Sequence, residues 1–354
     1  MEKKESSLIY SIHYLRGIAA LLVFMYHTRG LLNNTYAQRD LGSILFGNGY
    51  FGVDLFFMVS GFVIYISTNN SRSMKSFYVK RFFRIFPLYW VCLLSFLIVN
   101  IFILNKGYGI DILKITKSIF LIPLNFDGVP PFFGFSIITT AWTLTYEIVF
   151  YIIFSISMMV SHKYRAELCS IFIFIMVITL YFLSSKQSLI NPYSRWSDGG
   201  VLSLLSSPMF FEFVMGMVAA KIYNITTKEI ATKIYGVLIC LSLFSISGIF
   251  LFSGHGPMSI GIPCFILLVS LSLIEKVNGF KKIMILSLLG DISYSFYISH
   301  PISLLVLNNI NSIQVKSGMS LVVMQLSFSI LISFILYSTI EKWSIKKARH
   351  ILNS

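Results

Sequence analysis

Ten stretches of this chain are long and apolar enough to exclude a water-soluble fold. They run at about 14–32, 50–68, 85–105, 139–160, 167–184, 204–223, 232–252, 257–275, 289–310 and 318–340. A helix needs about 20 apolar residues to cross the hydrocarbon core of a bilayer. In lipid only helices and closed barrels satisfy their own backbone groups. Of the 354 residues, 56% are hydrophobic and 12% charged, against roughly a quarter charged in a soluble domain. The expected fold is therefore all-α, a polytopic bundle of about ten transmembrane helices forming a single domain over 1–354 and solvated by membrane lipids. No soluble domain is read at either end. No internal repeat is visible either, so an inverted-repeat transporter gains no support. The longest connection runs from Lys106 to Ile138 and contains Asp127-Gly128-Val129-Pro130-Pro131, a loop composition. Within it, Asp111–Leu124 is expected as a short interfacial helix.

The formal net charge is +14. A nucleic-acid partner does not follow from it, because the basic residues sit in short loops between apolar runs and form no continuous basic face. They set topology instead. With the N-terminus in the cytoplasm, roughly 19 Lys and Arg fall on the inner side and roughly 8 outside, which places both termini inside. The richest inner loop holds Arg72, Lys75, Lys80, Arg81 and Arg84. Met1–Ser11 carries no cleavage-site pattern, so the first apolar run is expected as a retained span. Cys92, Cys169, Cys240 and Cys264 all lie in apolar runs with no metal-site spacing and read as small hydrophobes. No metal is expected.

An ionisable side chain within a span costs several kcal/mol unless it faces the bundle interior. Seven stand out: Arg16, His27, Asp54, Glu147, Glu212, Asp291 and His300. Arg16 and His27 are eleven residues apart (27 − 16), close to three helical turns, so they share a face about 16 Å apart in height. The plain alternative is a snorkelling Arg and a satisfied core His. Asp54 begins the second run, where a helix N-terminus favours a carboxylate. Glu147 sits mid-span without a snorkelling route and needs a partner. His27, at similar depth, is the expected one, since a carboxylate orients an imidazole and supports a general base. Arg81 and Arg84, at i and i+3, enter the third span just before Pro87. They read as a positive-inside anchor or as a guanidinium pair suited to phosphate. The ninth run, Ser293-Tyr294-Ser295-Phe296-Tyr297-Ile298-Ser299-His300-Pro301, is rich in hydroxyls. Such residues glue helices together, and the His-Pro step suggests a local break.

These residues carry a resemblance. Tyr14-Leu15-Arg16-Gly17 through Tyr26-His27, Phe51-Gly52-Val53-Asp54-Leu55-Phe56-Phe57, Arg81-Phe82-Phe83-Arg84-Ile85-Phe86-Pro87, Trp142-Thr143-Leu144 with Glu147 and Phe150-Tyr151, and Ser293-Tyr294-Ser295 to His300-Pro301 occur in this order. Together they resemble the motifs of the membrane-bound acyltransferase 3 family. The chain departs at His13, where many members have Asp. The fused hydrolase-like domain that some members carry is not expected here.

The resemblance implies an O-acyltransferase of the bacterial cytoplasmic (inner) membrane. It implies transfer of an acyl group, usually acetyl from acetyl-CoA, to hydroxyls of cell-surface glycans or their lipid-linked precursors, such as O-antigen, capsule or exopolysaccharide. It also implies that His27 is catalytic and that Arg81 and Arg84 belong to the donor site. On this reading Arg16 lies along the donor path, and His27 acts as base or as transient acyl carrier beside Glu147. Asp54, Tyr297, Ser299 and His300 stand in support or on the acceptor side, and Ser293, Tyr297 and Ser299 are candidate donors to a developing oxyanion. The proposed chemistry requires one tunnel joining the arginines to His27. A lipid-linked sugar transporter or flippase is the main alternative, and a glycan polymerase a weaker one. Neither requires an R-x-x-R pair together with an intramembrane His.

Overall fold

The structure is a computed structural model, and it describes residues 8–69, 71–103, 111–184, 191–194, 199–310 and 317–353. Among the described residues it is helical, with no strand. A long helix stands at each of the ten expected places: α1 (Tyr10–Thr28), α2 (Gly52–Ser67), α3 (Met74–Ile98), α4 (Trp142–Val160), α5 (Arg165–Leu183), α6 (Phe210–Ile225), α7 (Tyr235–Leu251), α8 (Gly261–Asn278), α9 (Met284–Asn308) and α10 (Met319–Leu336). A further helix, α11 (Lys342–Asn353), continues from α10. The expected end of the third run at 105, residues 1–7 of the leading segment and the start of the long connection (106–110) lie outside the described residues.

Among the described residues, seven helical stretches are long and apolar enough to cross a membrane: Leu41–Ser67, Met74–Ile101, Thr139–Val160, Arg165–Leu183, Val201–Ile225, Gly261–Asn278 and Met319–Asn353. The helix α7 is apolar but only 17 residues long. By contrast, α1 and α9 have 19 and 25 residues and do not reach the same apolarity. These two carry His13, Arg16 and His27 on one side and the hydroxyl-rich run on the other, and they pack on each other. Polar residues are tolerated there because the helices face protein rather than lipid.

Backbone contact explains the pairing. A Cβ on Gly17 would meet the Gly290 nitrogen at 2.7 Å, and one on Gly290 would meet the His13 carbonyl oxygen at 2.6 Å. Only glycine permits this approach. The same logic closes α2 on α6, where Gly61 faces the Phe213 carbonyl and Gly216 that of Met58. Ten residues beyond the α1–α9 crossing, counted along either helix (27 − 17 and 300 − 290), stand His27 and His300. The helices run parallel, so the glycine contact carries the two histidines together. His13, the departure from the family pattern, reaches the Ser287 carbonyl at 3.0 Å and Asp291 at 3.3 Å, both on α9. Glu275 of α8 caps α1 by accepting the Tyr10 and Ser11 N–H groups at 2.7 Å each, satisfying donors that a helix N-terminus leaves free.

Several boundaries differ from expectation. The helix α3 begins at Met74, not 85, because Ser73 caps it by accepting from the Ser76 N–H at 3.1 Å. Arg81 and Arg84 therefore lie inside the helix rather than at its entry. Pro87 has no N–H for the Phe83 carbonyl, and Ser344 of α11 donates to that oxygen instead. The helix expected over 111–124 spans Ile112–Ile119, with Leu121 at φ +57° just beyond its end. No break occurs at His300-Pro301, where α9 runs on to Asn308. Finally, Tyr337–Glu341 forms a π-helical turn between α10 and α11. The extra residue turns Glu341 inward, where it is 1% exposed.

Candidate active site

Among the described residues, a basic cavity and an aromatic one open inside the bundle. The first encloses about 780 Å³, its open mouth included, and is lined by Arg16, Arg81, Arg84, Glu147 and Tyr151 among others. It is basic. Arg16 donates to Ser293 Oγ at 3.0 Å. Arg81 donates to Ser67 Oγ at 2.9 Å and stacks near Phe77 and Tyr151, while its Nε is buried without a partner. Arg84 forms an ion pair with Glu341 and lies 5.3 Å from the Tyr294 ring centre. Glu341 in turn accepts from Ser295 Oγ at 2.5 Å. Three guanidinium groups thus face two carboxylates, Glu147 and Glu341. The excess positive charge, with Arg81 the least engaged, favours an anionic ligand.

The second cavity encloses about 740 Å³ on the same measure and is aromatic, lined by Tyr26, His27, Tyr50, Phe132, Phe135, Trp142 and His255. His27 is exposed, and it faces this space. Its Nδ1 lies 2.8 Å from the Val23 carbonyl. A carbonyl only accepts, so in the neutral ring Nδ1 carries the proton and the Nε2 lone pair is left for a ligand. His300 sits behind it. His300 Nδ1 lies 3.2 Å from the Phe296 carbonyl, which leaves its Nε2 to accept, at 3.4 Å, from His27 Nδ1. This weak second contact and the 5.1 Å ring separation hold the His27 plane in place.

The connection before α4 supplies much of the aromatic wall. Tyr146 donates to the Pro131 carbonyl at 3.0 Å, Thr145 to Leu121 at 2.7 Å and Tyr89 to Ser118 at 2.7 Å. These bonds lay Phe132, Phe135, Thr139 and Thr140 over the bundle.

Tyr297 lines both cavities. Its hydroxyl donates to the Thr140 carbonyl at 3.2 Å and lies 3.2 Å from Thr143 Oγ1, and its ring packs edge-on against Phe56. The expected continuous tunnel is therefore two chambers with a shared wall, and this one side chain is common to both.

The expected site residues divide between these places. Arg16, Arg81, Arg84 and Glu147 meet in the basic cavity. His27 lies in the aromatic one. The expected Glu147–His27 pair does not form, because Glu147 accepts from Ser60 at 3.0 Å and from Tyr151 on the other side of Tyr297. Ser299 lines neither cavity; it is buried 3.1 Å from Ser333 between α9 and α10. Asp54, in the first turn of α2, is wholly buried. It accepts from His255 Nδ1 at 2.6 Å and from the Gly256 N–H at 2.9 Å, with Glu212 beside it. Burial pushes the neighbouring Tyr193 hydroxyl up to about 12, so it stays a neutral phenol that accepts from the His255 N–H at 3.2 Å.

Two participants, His255 and Glu341, escaped the sequence reading. His255 stands in a Gly-rich connection, Gly254-His255-Gly256, where no helical depth marks it. Glu341 stands one residue past the last apolar run, and only the π turn buries it. Among the described residues, no three His, Cys, Asp or Glu side chains form a group fit to hold a metal ion.

Comparison with known proteins places the chain. Residues 9–338 match the family described as an acyltransferase domain, acyltransferase 3. The chain is 25% identical over 277 residues to the exopolysaccharide production protein ExoZ of Rhizobium meliloti, covering 77% of this chain and 80% of that protein. It is 25% identical over 313 residues to the acyltransferase MdmB of Streptomyces mycarofaciens, covering 82% and 77%. A shorter match, 32% over 98 residues, covers 26% of this chain and 14% of the peptidoglycan O-acetyltransferase OatA of Listeria monocytogenes. No solved structure matches.

Proposed function

The chain belongs to the acyltransferase 3 family, and from that premise we propose that it moves acetyl from acetyl-CoA to a hydroxyl of a cell-surface polysaccharide or its lipid-linked precursor. The site of action is the bacterial cytoplasmic membrane, with the basic cavity facing the cytoplasm. Relatives named for exopolysaccharide production and for peptidoglycan O-acetylation support a glycan acceptor. The observation that carries the reading is the pairing of a guanidinium-lined chamber with an imidazole whose Nε2 is open, one side chain away.

Acetyl-CoA is anionic at its nucleotide end and reactive at its thioester. Arg81, Arg84 and Arg16 hold the phosphates and the start of the pantetheine arm. The arm then passes Tyr297, whose hydroxyl is held only by two 3.2 Å contacts, and brings the thioester to His27. There His27 Nε2 acts as base for the acceptor hydroxyl or takes the acetyl group first and hands it on. In either course the acceptor oxygen ends bonded to the acetyl carbon, the C–S bond breaks and the thiol of CoA recovers a proton. Val23 and His300 keep the ring in the reactive tautomer throughout. Glu147 offsets the arginine charge inside the donor chamber rather than orienting His27.

The test compares surface glycan from cells with and without the protein by mass spectrometry. The expected result is loss of about 42 Da per modified residue, the mass an acetyl ester adds to the acceptor. Identical spectra from the two strains overturn the proposal.

A further inference from the structure

Of the two imidazoles that line the aromatic cavity, the one supported by a carboxylate is not His27 but His255. Asp54, 0% exposed, holds His255 Nδ1 at 2.6 Å and fixes the neighbouring loop through the Gly256 N–H. Since the carboxylate accepts, the proton of the neutral ring sits on Nδ1 and the Nε2 lone pair is free. Among the described residues Nε2 has no hydrogen-bond partner. A buried carboxylate behind an imidazole fixes its tautomer and stabilises the imidazolium that forms when the ring takes a proton. Around His255 stand Tyr50 (ring centres 4.9 Å apart), Trp142 (6.0 Å), Phe132 (6.2 Å) and Tyr193 (6.2 Å). His255 and His27 line the same cavity. That cavity is concave, apolar on its walls and provided with a few fixed polar atoms, as ligand sites are. Flat rings of this kind suit the C–H faces of a pyranose, and an oriented ring nitrogen suits one of its hydroxyls.

Resting on the acetyl-transfer reading, we propose that the aromatic cavity seats the acceptor sugar ring and that His255, held by Asp54, is the base that receives its hydroxyl proton. The acceptor oxygen attacks the acetyl carbon as its O–H proton moves to His255 Nε2. The new C–O bond forms, and the bond from acetyl to its carrier breaks. That bond is C–S if the thioester reacts directly, or C–N if His27 holds the acetyl group, and its electron pair returns to sulfur or nitrogen. The imidazolium, stabilised by Asp54, then releases its proton to the CoA thiolate through water. His27 is thereby left to the acyl side of the reaction.

The test uses the full chain in lipid nanodiscs. Methyl glycosides of glucose, galactose and N-acetylglucosamine are the probes, read by saturation-transfer NMR, with the thermal shift caused by acetyl-CoA recorded on the same samples. At least one glycoside is expected to receive saturation from the wild type. Its signal should fall at least fivefold in Thr139→Trp, which fills the cavity from an exposed wall position and leaves the core untouched. For the glycoside that binds, His255→Gln should lower kcat for acetylation by about 100-fold or more, the usual share of a general base, with a smaller change in KM. The acetyl-CoA shift should persist in both variants, because the arginines that hold its phosphates lie in the basic cavity. No glycoside signal in the wild type, a signal indifferent to Thr139→Trp, or an undiminished kcat in His255→Gln overturns the proposal. Absence of the acetyl-CoA shift in the wild type counts instead against the donor reading, so the two failures are told apart.

Discussion

The basic and the aromatic cavities lie on either side of Tyr297 and are built by opposite means. The basic cavity is made of side chains from within helices α1, α2, α3, α4 and α9, and its charged groups are held by neighbours, Arg84 by pairing with Glu341 across the bundle and Glu147 by hydrogen bonds from Ser60 of α2 and Tyr151 of its own helix. The aromatic cavity is made largely at helix ends and in connections. Its rigidity comes from rings packed edge to face, and its polar groups include two imidazoles tethered through Nδ1. One chamber is suited to grip charge, the other to present lone pairs against flat apolar walls. On the proposed acetyl transfer, the first would take the anionic carrier and the second the neutral sugar acceptor.

The division can be broken most severely at His27. His27→Ala is expected to cut acetyl transfer by about 10²–10⁴-fold while leaving the acetyl-CoA thermal shift in place. Full glycan acetylation at normal protein level would remove His27 from the chemistry. Next in size, Arg81→Ala combined with Arg84→Ala should raise the acetyl-CoA concentration for half-maximal activity at least tenfold, since hydrogen bonds to charged groups contribute about 1.5–3 kcal/mol each. Here the two arginines are expected to differ. Arg84→Ala strands Glu341 as a buried unpaired charge, with a stability loss of roughly 3–5 kcal/mol, whereas Arg81→Ala should leave the melting midpoint nearly unchanged. Equal midpoints for the two variants would contradict the Arg84–Glu341 pair. A smaller effect is expected from Tyr297→Ala, which joins the chambers. Release of free CoA in the absence of acceptor should rise several-fold, a change set by access rather than by any catalytic group. An unaltered rate would mean that Tyr297 is not the barrier. Smallest of all, Ser299→Ala should leave activity within twofold of wild type, because Ser299 hydrogen-bonds with Ser333 between helices and lines neither chamber. A large loss there would redraw the site.

How far the site was legible follows from where each residue stands. Arg16 and His27 could be read as sharing a face because helical periodicity links residues eleven apart, and they do line the interior. Arg81 and Arg84 were visible as a pair for the same reason. Glu147 was visible as a buried acid, but not its partner, because depth along a span says nothing about the angle at which a neighbouring helix presents its side chains. Asp54 was legible as a carboxylate in the first turn of its helix, as it is, but its partner was not, because His255 lies 201 residues away in a short connection. Glu341 was hidden by the π turn, which shifts the helix face by one residue and leaves no mark in composition.

The apolar runs by themselves determined that the chain is an all-helical bundle with about ten long helices and a handful of ionisable groups turned inward. That much follows from the cost of exposing backbone and charge to lipid, which each segment bears alone. Which imidazole has the carboxylate, which arginine is already paired and where the passage is interrupted were decided only by the tertiary structure. Those are relations between side chains on different helices, set by glycine contacts such as Gly17 with Gly290 that a single segment does not encode.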